Sequence, residues 1–398
     1  MKINIKSYPD IINKCISFCE RKSFKSYDVF DALNGKVIDS LLKNNILLRR
    51  IAIQLNARLP FNIRPLLGIK KLTHTKALSD LLSIYSKLYS QNHEINDRLN
   101  ANKMFDLLIS KRIEVDKGYG WGLNFPYATR FTNASTTTPN LYNTLNTLNS
   151  ILDFYSVNTE INVKEMIEKV RAFIFDYLGF VEESDDIIWL RYYPNQKDIP
   201  TPNVNATAAA LFMRINNVIK NELIDINIIW KLLNFLQKTQ NEDGSWFYTT
   251  TQKGTWVDGF HTGFILEALA VIRYFDKESK FPMVKGMLDK GINFYLKNLF
   301  TENYVPKYLN DNTYPVEAQN CAQAIQTLAR LKMLVGYNTI GSLSKVVESV
   351  VDLLYDKTGY FYYKKTRLIT NKQFYMRWSQ TPMILALLYA EEAENTKI

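Results

Sequence analysis

Asp258 and His261 lie three residues apart in Trp256-Val257-Asp258-Gly259-Phe260-His261-Thr262-Gly263. Across one helical turn that spacing lets a carboxylate orient or charge an imidazole, the side chain best suited to moving a proton near neutral pH. Glu317, in Tyr314-Pro315-Val316-Glu317-Ala318-Gln319-Asn320, adds a second carboxylate. A pair of carboxyl groups can cleave a glycosidic bond, so Asp258, His261 and Glu317 are the candidate catalytic residues. The other two histidines, His74 and His93, sit in polar surroundings and are expected at the surface. No nucleotide-binding glycine loop, serine nucleophile elbow or HExxH motif occurs. No cluster has metal-ligand spacing, so neither a metal nor a cofactor is expected.

Comparable polar clusters stand at other points along the chain: Arg130, Asn133 and Thr138-Pro139-Asn140; Thr201-Pro202-Asn203-Val204-Asn205; and Tyr375-Met376-Arg377-Trp378-Ser379-Gln380. Asn, Thr, Asp and Ser suit helix N-caps, and Pro suits the first turn. Capping leaves unexplained the cations Arg130 and Arg377, the rings of Trp256, Tyr375 and Trp378, and Gln319, Gln323 and Gln326 spaced along one helix face. With Asn140, Asn203 and Gln380, these side chains (Gln326 apart) are the expected substrate-binding set. The arginines would hold a carboxylate or phosphate. Helix N-termini gathered there would favour the same anionic group.

The elements that must position these residues follow from a repeat. Aromatic turn signals recur at Gly118-Tyr119-Gly120-Trp121-Gly122, Trp189-Leu190-Arg191-Tyr192-Tyr193, Asp243-Gly244-Ser245-Trp246-Phe247-Tyr248, Asn303-Tyr304-Val305-Pro306-Lys307-Tyr308 and Gly359-Tyr360-Phe361-Tyr362-Tyr363. From Trp121 through Trp189, Trp246, Lys307 and Phe361 the intervals are 68, 57, 61 and 54 residues, the mark of a repeat architecture. Apolar residues at three- and four-residue spacing predict two helices in each gap. They are Leu141 to Tyr155 with Val163 to Phe180, Asn205 to Val218 with Ile226 to Leu236, Phe264 to Phe275 with Val284 to Leu299, and Ala318 to Leu334 with Leu343 to Leu354; Thr381 to Ala393 closes the series. The first of each pair is small and apolar, the second charged and amphipathic, as inner and outer helices are. The expectation is an all-α toroid of about six hairpins, with an inner and an outer ring and the polar clusters around one mouth.

Nothing in the composition divides the 398 residues: 15 Gly, 12 Pro and no low-complexity stretch point to one domain spanning 1–398. The net charge of +10 is uneven. Residues 1–72 hold 14 Lys+Arg against 5 Asp+Glu, the remainder 35 against 34. The basic N-terminal segment, with Arg49, Arg50, Arg58, Arg64, Lys70 and Lys71 among Leu, Ile and Phe, is expected to wrap onto the domain body, its arginines tying it there. The alternative is attraction to an anionic membrane surface or an acidic glycan. No nucleic-acid-binding signature accompanies the charge, so nucleic acid is excluded as a partner. Cys15 and Cys19 read as one face of a buried helix, and the start of the chain lacks the apolar core of a secretory signal. A cytoplasmic location is expected.

The runs NEDGSWFY, WVDGFHTGFILEAL, EAQNCAQAI and TNKQFYMRWSQTPMILAL resemble a family of helical-toroid proteins from bacterial polysaccharide gene clusters, as do RLPFNIRPLLGIKK and TPNLYNTLNTL. The resemblance implies the (α/α) toroid shared by six-hairpin glycosidases, uronate lyases, sugar epimerases and terpenoid cyclases. By matching motifs it marks Asp258, His261, Glu317, Gln319, Arg377, Trp378 and Gln380 as site residues. Gly259 departs from the family pattern, which more often has Asn or Ser there. A cyclase reading is set aside, because Asp185-Asp186 is the only acidic run of that kind and falls in a loop. The expectation is a cytoplasmic enzyme of surface-polysaccharide synthesis acting on a sugar or oligosaccharide, acidic or lipid-linked forms included, by hydrolysis, elimination or epimerisation. Its rival is a non-catalytic glycan-binding or assembly factor, and a third reading adds peripheral membrane contact through the basic segment.

Overall fold

The periodic apolar stretches are helices, with boundaries set by the residues that end them. A computed structural model describes residues 8–42, 45–194, 199–220, 222–251 and 254–396; residues 1–7 and 43–44 of the basic segment lie outside the described residues. In chain order the α-helices are α1 (Tyr8–Arg21), α2 (Lys36–Leu42), α3 (Ile46–Arg58), α4 (Thr75–Asn92), α5 (Ile95–Ile109), α6 (Leu141–Tyr155), α7 (Val163–Ala172), α8 (Pro202–Ile219), α9 (Ile226–Thr239), α10 (Gly259–Phe275), α11 (Met283–Asn298), α12 (Ala318–Val335), α13 (Ile340–Leu354) and α14 (Thr381–Asn395). The run expected to be helical to Phe180 leaves the α-helix at Ala172. It makes a π-helical turn over Phe173–Leu178 and breaks at Gly179, whose φ of +71° favours glycine.

Packing sorts the helices into two sets. α4 packs on α6, α6 on α8, α8 on α10, α10 on α12, α12 on α14, and α14 back on α4. α5, α7, α9, α11 and α13 pack on α4, α6, α8, α10 and α12 in turn, while α1 packs on α14. The sequence explains the division. α14 is buried continuously from Thr381 to Ala390, and a helix covered on every side must be apolar or small all round. α7 buries Val163, Ile167 and Val170 and exposes Lys164, Glu165, Glu168 and Lys169, the pattern of a helix with one face in water.

Short strands correct the all-α expectation. After α5, Ile113–Val115 pairs with Gly118–Gly120; after α7, Phe180–Ser184 pairs with Ile187–Leu190, with Asp185-Asp186 at the turn; after α13, Tyr355–Asp356 pairs with Tyr360–Phe361. Single bridges, Gln240 to Trp246 and Phe300 to Pro306, take the same place after α9 and α11. These hairpins are the recurring aromatic turn signals. Strands of two to five residues are too short to show a period of two among the flanking helices. Their aromatics close the outer helices: the indole N–H of Trp121 donates to the Leu108 carbonyl at 2.8 Å, and that of Trp246 to the Leu236 carbonyl at 3.0 Å, near helix ends that leave carbonyls unpaired. Turns also reach the next outer helix, two of them through glycines of positive φ. At Gly244 (φ +93°) a Cβ would come within 2.4 Å of the Lys290 carbonyl oxygen on α11, and at Gly359 (φ +95°) within 2.8 Å of the Lys14 carbonyl oxygen on α1.

The N-terminal segment starts in the outer layer and ends over the helix starts. Cys15 and Cys19 are fully buried in α1, and the Tyr8 hydroxyl donates to Glu394 at 2.7 Å. Beyond α1 the chain pairs Ser26 with Leu72 and carries α2 and α3 between them. Two buried arginines brace it mainly from within, Arg64 alone of them also reaching out to Gln373 at 3.4 Å. Arg64, buried, donates through Nε to Asp31 at 2.7 Å and through Nη2 to the Asp28 carbonyl at 2.6 Å; Arg49 pairs with Asp39 at 2.7 Å. Among the described residues, no helix is long and apolar enough to cross a membrane.

Candidate active site

A cavity of about 980 Å³ opens where several inner helices begin. Asp258 and His261 come from the start of α10; Tyr192, Tyr193 and Thr201 from the approach to α8; Tyr127 to Thr132 from the loop before α6; Tyr308 and Leu309 from the loop before α12. α3 lies across one side, contributing Leu47, Arg50, Ile51, Gln54, Leu55 and Arg58.

Asp258 is the N-cap of α10 and the partner of His261 at once. Its Oδ1 accepts the His261 backbone N–H at 2.7 Å, which satisfies a free donor of the first turn. Its Oδ2 lies 2.7 Å from His261 Nδ1 and accepts the Trp256 indole N–H at 3.1 Å. Burial alone would raise the Asp258 carboxyl. The facing His261, these donors and the indole outweigh it, so the group lies below the ordinary aspartate range and is a carboxylate. A carboxylate only accepts, so the proton between the two groups sits on Nδ1, and Nε2 is the ring nitrogen left to exchange a proton with a ligand. Tyr248 frames the ring, its centroid 4.6 Å from His261 and stacked at 4.8 Å on Trp256 with planes 10° apart.

Glu317 stands behind this wall as the N-cap residue of α12 and is buried. Burial pushes its carboxyl up, the Lys364 ammonium opposes this and the Asp258 charge adds to it, leaving the group at about 7. The two predicted carboxyl groups are thereby split, one ionised and one that holds a proton near neutrality. Such separation suits an acid and a base, but of the two only Asp258 lines the cavity.

The other expected site residues divide. Arg130 and Trp256 line the cavity. Arg377 is committed elsewhere: its Nε and Nη2 both donate to the fully buried Asp28, the second at 2.9 Å. Burial would raise Asp28, but the Arg377 charge holds it below its ordinary value. Trp378 packs edge-on against Phe30 at 5.2 Å and directs its indole N–H to Asp28 at 3.4 Å. Tyr375 is buried beside Tyr363, and its hydroxyl donates to Gln373 at 3.0 Å. Gln380 clamps Phe361, accepting its N–H at 3.0 Å and donating to its carbonyl at 2.7 Å. Asn140 caps α6 by accepting the Asn143 N–H at 2.9 Å, and Asn203 is buried in the first turn of α8. Gln319 and Gln323 line a separate cavity of about 70 Å³ between the inner helices, with Lys76, Asp80, Asp153 and Glu267; Gln323 donates to Glu267 at 2.9 Å.

His74 corrects its surface assignment. It is buried, its Nε2 lies 3.1 Å from the Ser26 carbonyl, and its ring meets Phe125 edge-on at 5.8 Å. The N-terminal segment folds over it, and nothing in the local sequence announces that cover. Burial lowers its imidazole below the ordinary value. The cavity residues not expected are Tyr127, Tyr192, Tyr193, Tyr248, Tyr308 and the side chains of α3. Most of these tyrosines stand in the repeating turn signals, where they read as structural markers. Among the described residues, no group of three or more His, Cys, Asp or Glu is placed to hold a metal ion.

No protein-family model matches the chain, and no curated protein sequence matches it. Solved structures do. The chain is similar to cellobiose 2-epimerase from Bacillus thermoamylovorans B4167, at 12% identity and a TM-score of 0.62 over 81% of this chain and 88% of that one. It is similar to a sugar epimerase from a ruminal bacterium, at 13% identity and a TM-score of 0.63 over 83% and 91%, and to a polysaccharide lyase, at 9% and 0.63 over 98% of both chains. At such identities the likeness is one of fold: the helices are arranged as in the (α/α) toroids.

Proposed function

We propose that the protein is a sugar-processing enzyme whose chemistry is proton transfer at the start of α10. The observation that carries this is the Asp258–His261 pair on the cavity wall, with Nδ1 held and Nε2 left for a ligand. Nε2 takes or returns a proton, Asp258 stabilises the imidazolium that forms, and Glu317 is the second acid–base group. Tyr248, Trp256 and the stacked Tyr192–Tyr193 pair offer ring faces to a saccharide. Arg130, with Arg50 and Arg58 from α3, gives the cavity cations for a carboxylate or phosphate on it.

Support comes from the solved structures of the same fold, which are named as sugar epimerases, an isomerase, glycoside hydrolases and a polysaccharide lyase. Within this reading the chain is one domain, the six inner helices with their outer partners are the six hairpins of the toroid, and the reaction is a cytoplasmic step of surface-polysaccharide synthesis, in keeping with the sequence resemblance. The test is mass spectrometry of surface glycan from cells carrying no copy, the wild type, His261→Ala or Glu317→Gln. The expected result is one sugar missing or unconverted both without the gene and in His261→Ala. Unchanged composition with altered chain length or amount would replace the enzyme with a glycan-binding assembly factor.

A further inference from the structure

α3 is turned the opposite way to an ordinary surface helix. It buries Arg49, Ile53, Asn56 and Ala57 against the body and leaves Leu47, Leu48, Ile51 and Leu55 in water. The chain after it continues the pattern with Phe61 and with Leu66, 88% exposed. A segment some three hundred residues on joins this face. The hairpin of Lys364–Lys365 with Thr370–Asn371 is tied to the end of α3 by the Asn371 amide donating to the Leu59 carbonyl at 3.4 Å. Its tip carries Leu368, 94% exposed, and Ile369. Of the eighteen large apolar side chains exposed among the described residues, ten belong to residues 41–66 and 368–369. Apolar surface concentrated in this way marks a binding face.

Charge identifies the occupant. No Asp or Glu occurs from Leu41 to Ser79 or from Lys357 to Ala390, and Arg58, Lys70, Lys71, Arg367 and Lys372 are exposed in the same segments. A second copy of the chain would set two such basic faces together with no carboxylate to meet either. A bilayer containing anionic lipid meets both features, its acyl boundary taking the leucines and its headgroups the cations. Arg49 and Arg64, by contrast, are already paired with Asp39 and Asp31 and serve to hold the face in place.

We propose that α3, the 59–66 strip and the 364–371 hairpin tip dock on an anionic bilayer surface. Leu47, Ile51, Leu55 and Arg58 also line the large cavity, so docking sets its mouth at the headgroups, where a saccharide on a lipid carrier would be presented. That last clause rests on the sugar-processing reading; the docking does not.

Flotation of the full chain with vesicles of phosphatidylcholine alone, and of phosphatidylcholine with phosphatidylglycerol, tests it. The wild type is expected to float with the anionic vesicles only, and less at high salt. The double variant Leu66→Ser/Leu368→Ser, whose side chains have little to pack against, should melt as the wild type does and partition at least about tenfold more weakly. No flotation with anionic vesicles at low salt, or full binding by the double variant, overturns the proposal. A solution dimer that the double variant dissociates would assign the face to a second copy instead. The readout is binding, so a failure here is separate from a failure of the glycan test on His261→Ala.

Discussion

Two aspartates near inner-helix starts meet nitrogen-bearing side chains in opposite ways. Asp28 is fully buried and holds Arg377 through two nitrogens, with Trp378 and the Phe30 backbone as further donors. Asp258 touches the cavity, holds His261 through one ring nitrogen and leaves the other unclaimed. The first pair consumes the whole hydrogen-bonding capacity of one edge of a guanidinium and fastens the N-terminal segment to the loop before α14. The second fixes a tautomer. A buried pair whose members satisfy each other is a fastening, and a pair with one functional atom left over is a candidate site.

Substitutions can break that contrast. The largest effect is expected at His261: His261→Ala should reduce conversion of the affected glycan by about 10²–10⁴-fold while leaving the melting temperature close to that of the wild type, read by glycan mass spectrometry and calorimetry. A loss explained by unfolding would make the pair a fastening after all. Asp28→Ala leaves the Arg377 charge buried and unpaired, and should lower stability by about 3–5 kcal/mol. Asp258→Ala loses chiefly a helix cap, about 1 kcal/mol, because the His261 ring still faces the cavity. Urea midpoints for the two variants should differ accordingly; equal losses would erase the distinction.

A third measurement concerns pH. Folded Glu317 keeps its proton to about 7, whereas in the unfolded chain it ionises at its ordinary value of 4.5. Between those values the folded state binds more protons, so stability contributed at this position falls as pH rises, by roughly 3 kcal/mol across the window. Glu317→Gln should flatten that part of the stability profile between pH 4.5 and 7; parallel wild-type and variant profiles would show that the carboxyl is not held protonated. The smallest effect is expected at Trp256→Phe, which removes one half-exposed donor to Asp258 and should cost about 0.5 kcal/mol in denaturant titrations.

Much of the helical plan can be read from spacing. Leu141 to Tyr155 is α6 at both ends, and the boundary of α12 differs from the expected one by a single residue. The pairing of Asp258 with His261 was also legible, because i to i+3 contacts on a helix are local. What spacing posed as alternatives, capping or a pairing with the imidazole, is one carboxylate using one oxygen for each. The rest depends on contacts between distant parts of the chain. Arg377 meets Asp28 across 349 residues, and only the fold reveals that its charge is already matched. His74 looks polar in sequence because its neighbours Thr73, Thr75 and Lys76 are polar, whereas what covers it, the Ser26 carbonyl and the Phe125 ring, is distant along the chain. The cavity tyrosines were in view throughout, but an aromatic that ends a hairpin and an aromatic that faces a ligand have the same local sequence.

The contact between α1 and α14 has a consequence for the order of events during synthesis. Tyr8 finds Glu394 386 residues later, and the Gly359 turn must arrive before the Lys14 carbonyl is covered. Until then α1 is held only at its far end, where the Tyr85 hydroxyl of α4 donates to Glu20 at 3.0 Å, and the face that packs on α14 is uncovered. The growing chain therefore carries a half-covered hydrophobic helix until α14 has been made, a natural binding site for a chaperone.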